Sequence, residues 1–303
     1  MTPPTRPTPP RLPAPEQILG RAAGENFRVA SRLLRRDTRT HLLAIYGFAR
    51  LVDYLGDEYD GDRLDALDWL ADRTERAFIE PPPADLHPLV ADAVRTVRVL
   101  GADPRLLRDL IDANRQDQVV RGYATFTDLV DYCGLSANPI GRLVLGIFDA
   151  ADADRCAWSD RICTGLQLAE HWQDVAEDAA AGRIYLPADD LARFGITARD
   201  LTAGPPAPAA LRGLMAFQVA RARRILEEGA PLIGSLHGRA RWAVAGFWAG
   251  GQAALDAVAD RHFDPLRGAP RPAPGRVAFH LAGALRGSRA RRGSPAEPEA
   301  EAA

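Results

Sequence analysis

The chain has 303 residues, 47% of them hydrophobic, with 38 basic and 40 acidic side chains and a net charge of −2. That allows one large domain or two ordinary ones with a sizeable core, and the near balance of charge gives no electrostatic reason to expect nucleic acid as a partner. Every basic residue is arginine, whose planar fork suits phosphate groups. The three cysteines, Cys133, Cys156 and Cys163, have the wrong number and spacing for a disulfide framework or a zinc site, and buried thiols in a reducing compartment are expected.

In chain order, residues 1–14 are Pro-rich, lack the apolar centre of a signal peptide, and are expected to be disordered. Helical spacing follows: Leu42, Ile45, Tyr46, Ala49 and Val52 recur at steps of three and four. So do Leu106, Leu107, Leu110, Ile111 and Ala113, and then Leu211, Met215, Val219, Ala222 and Leu226. Pro and Gly mark joints at 80–88, 101–104, 203–209 and 264–275. The most apolar stretch, 242–259, is long enough to raise the question of a membrane span. Gln252, Asp256 and the adjacent Gly250 and Gly251 favour a buried helix packed through small residues instead. A cytoplasmic protein is expected, with contact at the inner face of a membrane left open. The tail, 288–303, is expected to be disordered. With no alternating strand pattern and no repeat, the chain reads as one all-α domain over 15–287, of roughly ten helices.

Two acidic pairs interrupt apolar runs. RLVDYLGDE carries Asp53 and Asp57; EHWQDVAED carries Asp174 and Asp178. Residues four apart share a helix face, with β-carbons roughly 5–6 Å apart, where like charges repel by about a few tenths of a kcal/mol. Mg²⁺ would justify such pairs, because it takes hard oxygen ligands from one or two carboxylates plus substrate phosphates. Glu170 extends the second pair into a ladder, Gln167 lies on nearly the same face, Arg50 precedes the first pair, and Arg183 follows the second. Arginines so placed can grip a phosphate oxygen through paired N–H groups. The plainer reading, two solvated helix faces, stays open on spacing alone. A ferritin-like di-metal bundle needs Glu three residues before His, and none of the six histidines has it. His171 points about 100° away from Glu170 and reads as a packing residue. There is no G-x-S-x-G elbow and no Walker-type phosphate loop.

These stretches resemble the squalene/phytoene synthase family. HLLAIYGFARLVDYLGDE, 41–58, is similar to its first aspartate-rich motif, and GLQLAEHWQDVAEDAAAGRIYLP, 165–187, to its second. ENFRVASRLL at 25–34, YCGLSANPIGRLVLGIF at 132–148 and AGGQAALDAVADRHFDPL at 249–266 resemble most the hydroxysqualene-forming branch of the bacterial hopanoid pathway. The resemblance implies an isoprenoid-synthase helical bundle around a central substrate cavity. It implies Mg²⁺ held by Asp53, Asp57, Asp174 and Asp178, with Glu170 where the family usually has Asn. It implies that Arg50, Gln167 and Arg183 help hold diphosphate, and that Phe27 and Tyr132 face the substrate near the reacting centre. The implied reaction is ionisation of presqualene diphosphate, rearrangement of the cation and capture by water to give hydroxysqualene, without a nicotinamide cofactor. A presqualene diphosphate synthase and a squalene-forming reductase would be its pathway partners.

The chain departs from the family pattern at Tyr54, where a second adjacent aspartate is usual, and at Arg28, where proline is expected. Asn138, in the Ala137-Asn138-Pro139 stretch, is a candidate for hydrogen-bonding the water that quenches the cation; the competing expectation is that it satisfies backbone groups ahead of Pro139. Two further expectations stand beside the leading one. The chain could join two prenyl diphosphates head to head, as a presqualene diphosphate or phytoene synthase does, or it could be a non-catalytic helical assembly protein.

Overall fold

The computed structural model describes residues 10, 12–20, 35–79 and 86–290, with side chains up to 287. Among the described residues the regular structure is helical, apart from one isolated parallel bridge between Gly122 and Ile184. The helices are α1 (Pro15–Gly20), α2 (Arg36–Asp53), α3 (Arg63–Ile79), α4 (Pro88–Leu100), α5 (Arg105–Val119), α6 (Phe126–Ser136) and α7 (Asn138–Ile147). They continue as α8 (Ala153–Ala180), α9 (Ala188–Phe194), α10 (Ala209–Glu228), α11 (Pro231–Ser235), α12 (Gly238–Asp260) and α13 (Pro274–Ala290).

Local chemistry sets the boundaries that matter for the site. Asp152 caps α8, its side chain accepting from Arg155 N at 2.8 Å. Thr125 and Asp128 close a reciprocal capping box at the start of α6. Pro139 cannot donate a backbone hydrogen bond, so α6 stops at Ser136 and α7 restarts at Asn138. At the far end of α8, Gly182 takes the left-handed conformation (φ 79) that a side chain disfavours. Arg183 N can then reach back to Asp178 O at 2.8 Å, and the chain leaves along 121–124 through Ile184 N to Arg121 O at 2.9 Å.

Two apolar clusters fill the interior. One joins α1 to α5 around Phe48, Leu51, Leu67 and Ile111; the other joins α6 to α12 around Leu168, Trp172, Met215 and Leu226. Helix α8 is the axis of the second, burying Ile162, Leu168, Ala169, Trp172 and Val175. Helix α12 packs on it through small residues: a β-carbon at Gly251 would sit 2.7 Å from Leu166 and 2.9 Å from Leu226. No helix among the described residues is long and apolar enough to cross a membrane.

The expected domain edges differ from the structure in detail. Helix α13 continues past 287 to Ala290. Inside the expected N-terminal tail, Pro10 is buried, Leu12 packs on the first cluster, and Pro13 O lies 3.1 Å from His87 Nε2. Of the cysteines, only Cys133 is fully buried, while Cys156 and Cys163 are half-buried; burial pushes the thiols of Cys133 and Cys163 up to about 12.

The packing of α8 against α10 is tight enough to test. At Gly165 a β-carbon would meet Leu226 Cβ at 2.8 Å and Leu226 Cα at 3.0 Å, whereas at Gly246 on α12 it would meet nothing within 4 Å. Gly165→Ala is expected to lower stability by about 1–3 kcal/mol, and Gly246→Ala to leave it unchanged or raise it by up to about 1 kcal/mol, read as urea midpoints.

Candidate functional site

The first acidic motif does not sit on one continuous α-helix. Helix α2 ends at Asp53, and Tyr54–Glu58 forms a π-helical turn closed by Tyr59 N to Tyr54 O at 2.9 Å. Such wider turns recur at functional sites. Helix α5 explains it here: Gln118 Nε2 donates to Gly56 O at 3.0 Å, and a side chain at Gly56 would collide with the Asn114 amide. Asp57 is thereby offset from the α-helical position above Asp53 and meets Arg183, whose Nη2 donates to Asp57 Oδ1 at 2.9 Å. Arg50 Nη1 lies 3.5 Å from Asp53 Oδ2. The first motif is therefore tied to the exit of the second by an ion pair spanning 126 residues of sequence.

The two motifs lie in each other's electrostatic field. Burial pushes the Asp53 carboxyl up to about 6; Arg50 and the Asn114 amide oppose this, while Asp57 and Glu170 add to it. Burial pushes Asp178 up to about 7, with Asp174, Glu170 and Glu177 adding and Arg183 opposing. Asp174 is raised too, by burial and then by Glu177. Glu170 thus acts on Asp53, across the interface, and on Asp178, on its own helix.

Beneath the carboxylates lies an aromatic layer. Tyr132 Oη donates to Asp117 Oδ2 at 2.7 Å and Tyr185 Oη to Asp117 Oδ1 at 3.3 Å. The rings of Tyr123, Tyr132 and Tyr185 lie 5.5–6.0 Å apart. His171 stacks on Tyr185 with centroids 3.8 Å apart and planes 14° apart. Burial pushes His171 down to about 3, so it is a neutral packing residue, and Gln167 Nε2 lies 3.4 Å from its Nε2. Burial, then the Asp117 charge, raises the phenols of Tyr123, Tyr132 and Tyr185, so they remain protonated donors. A small cavity is lined by His171, Val175, Asp178 and Tyr185 among others, so the acidic ladder and the aromatic cluster meet there.

The squalene/phytoene synthase profile matches residues 21–278. The chain belongs to the squalene/phytoene synthase family. Enzymes of this family act on prenyl diphosphates. Among relatives, the hydroxysqualene synthase of Rhodopseudomonas palustris is 34% identical over 213 residues, covering 69% of this chain and 70% of that one. A phytoene synthase of Arthrospira platensis is 33% identical over 238 residues, covering 73% and 75%. The crystal structure of squalene synthase HpnC from Alicyclobacillus acidocaldarius superposes with a TM-score of 0.76 at 38% identity, over 83% of this chain and 94% of that one.

The structure brings Asp53, Asp57, Asp174, Asp178, Glu170, Arg50 and Arg183 together. Gln167 and Tyr132 belong to the adjoining layer through His171, whose ring centroid lies 6.2 Å from that of Tyr132. Asn138 sits at the α6–α7 break, and its Oδ1 accepts from Thr164 Oγ1 of α8 at 3.2 Å. Phe27 and Arg28 lie outside the described residues. Sequence reading missed Asp117 and Asn114. Their signal was a polar stripe, Asn114, Asp117, Gln118 and Arg121, at helical spacing on a helix whose other face is Leu106, Leu107, Leu110 and Ile111.

Among the described residues no three carboxylate, histidine or thiol groups converge as a ready-made ion cage. Mg²⁺ does not require such a cage, because it keeps several waters and is completed by substrate phosphates. Raised carboxyls facing one another are the donor set that a dication relieves. The sign of the pH effect follows. Carboxyls raised in the folded state stabilise it fully below their ordinary value of 3.8, and that stabilisation is lost as pH rises through about 6 for Asp53 and about 7 for Asp178. Melting of the metal-free protein is therefore expected to drop between about pH 4 and pH 7 and to level off above that, with Asp178→Asn flattening the drop and Mg²⁺ reversing it only at the upper end.

Proposed function

We propose that this protein converts presqualene diphosphate to hydroxysqualene with Mg²⁺, in squalene and hopanoid synthesis. The observation that carries the reading is the joining of both acidic motifs into one site by Arg183–Asp57 and by the reach of Glu170 to Asp53 and Asp178. The similarity to hydroxysqualene synthase and HpnC supports this branch of the family.

In this reading Asp53, Asp57, Glu170, Asp174 and Asp178 hold the metal, and Arg50, Gln167 and Arg183 hold the diphosphate. When bound, Mg²⁺ supplies positive charge that stabilises the departing diphosphate. Arg50 and Arg183 add donors aimed at the same oxygens without any proton transfer. The C–O bond breaks with its electron pair leaving on diphosphate. The rearranged cation is captured by water, which forms the new C–O bond and loses a proton. The hydroxyl proton of Tyr132 is committed to Asp117, so Tyr132 presents the cation with a ring face rather than a proton. Phe27 keeps the substrate-facing role that the resemblance implies. Asn138, fixed by Thr164, orients the water through its remaining amide donors. The proposed setting is cytoplasmic, at the inner face of the membrane that supplies the substrate, between a presqualene diphosphate synthase and a squalene-forming reductase.

The similarity to a phytoene synthase favours a second reading, head-to-head joining of two prenyl diphosphates. One assay separates the two. Incubation with presqualene diphosphate and Mg²⁺, followed by mass analysis of the organic extract, is expected to give hydroxysqualene, and farnesyl or geranylgeranyl diphosphate alone is expected to give nothing. Asp57→Ala and Asp174→Ala should each lower the rate at least about hundredfold with the fold intact; full activity in both would overturn the metal assignment. Asn138→Ala should shift products away from the alcohol. Turnover of farnesyl or geranylgeranyl diphosphate alone would select the condensation reading.

A further inference from the structure

Away from the carboxylates, a cavity of about 460 Å³ opens where α12 ends and α10 begins. It is lined by Arg212, Asp260, Arg261, His262, Asp264 and Arg267. The acidic oxygens there are already engaged. Asp260 Oδ1 accepts from Arg276 Nη2 at 3.3 Å. Asp264 is buried and accepts from Arg267 Nε at 2.9 Å and from Leu266 N at 3.1 Å. Burial raises the Asp264 carboxyl, but Arg267 and the backbone N–H groups of Ala207 and Leu266 outweigh it, so the group stays below its ordinary value.

The arginines are not equally engaged. Arg261 Nη1 donates to Arg267 O at 2.9 Å and Gly268 O at 3.1 Å, which fixes the guanidinium while leaving its other N–H groups without a protein partner among the described residues. Arg212, half-buried in the first turn of α10, has no side-chain partner among the described residues. A smaller cavity shares Asp260 and Arg261 and adds Arg271 and Arg276, so five arginines border the combined groove.

The wall is built rather than incidental. His262 and Phe263 both hold left-handed backbone, at φ 55 and φ 57, where a bulky side chain is an outlier. His262 N to Ala259 O at 2.8 Å and Phe263 N to Val258 O at 3.1 Å lock the pair, and the Phe263 ring packs on the core. Strain of this kind collects at ligand sites.

We propose that this cavity is a second anion site, separate from the acidic site, that takes a phosphoryl group between Arg212 and Arg261. Arginine presents paired N–H groups that match phosphoryl oxygens, and the groove's surplus of cation attracts the anion before contact. The phosphoryl group can be free in solution, as inorganic diphosphate, or be the headgroup of an anionic lipid; the chemistry is shared. This inference does not rest on the proposed reaction.

The test is calorimetric titration of the full-length protein with inorganic diphosphate in metal-free buffer, beside flotation with phosphatidylglycerol and with phosphatidylcholine vesicles. Arg212→Ala, shown folded by its melting curve, is expected to weaken binding about tenfold. Arg212→Lys should recover part of it, and Arg95→Ala, on α4 and outside the groove, should leave it unchanged. Loss confined to diphosphate assigns a free phosphoryl ligand, and loss confined to phosphatidylglycerol vesicles assigns the headgroup. The proposal is overturned if the wild-type protein binds neither, or if Arg212→Ala binds as well as wild type.

Discussion

Repulsion among carboxylates that burial already disfavours is the constraint on which this structure turns. Asp53 and Asp178 come from opposite halves of the chain, and their carboxyls are pushed up to about 6 and about 7 because each loses water and faces other acids. A fold that gathers such groups must use other interactions to hold them in place. Helix α5 supplies Gln118 and Asn114 to shape the π turn that carries Asp57. Gly182 turns the chain so that Arg183 can return to Asp57. Apolar clusters on either side keep α2, α5 and α8 at fixed separation.

The site is also stratified. Carboxylates and arginines form one layer, and tyrosine rings with a neutral histidine form the next. Asp117 organises the second layer by accepting from two phenols. This separation suits a reaction that expels an anion at one level and shelters a reactive cation at another. Donation to Asp117 fixes the phenols of Tyr132 and Tyr185 in place.

Much of this was legible in the sequence because helical spacing is a strong signal. The all-α class, the pairing of Asp174 with Asp178 on one helix, the packing role of His171 and the burial of α12 through small residues all follow from periodicity. The π turn was not legible, because its cause lies on α5, about sixty residues away, where Gln118 reaches Gly56. Asp117 escaped notice because an acid in the polar run 114–118 resembles a solvated residue until Tyr132 and Tyr185 are seen to converge on it. The contact of Asn138 with Thr164 needed the packing of α7 on α8, which no local pattern encodes.

Membership of the squalene/phytoene synthase family fixes the chemistry in outline, and the central physical claim is that both acidic motifs act on one bound metal and diphosphate. A double-mutant cycle tests it most directly. Mg²⁺ affinity is measured in the presence of inorganic diphosphate for wild type, Asp53→Asn, Asp178→Asn and the double variant. A shared site predicts strongly non-additive losses, with a coupling of at least about 1 kcal/mol between the two positions. Losses that simply add would mean that the two motifs work apart, and would contradict a single shared site.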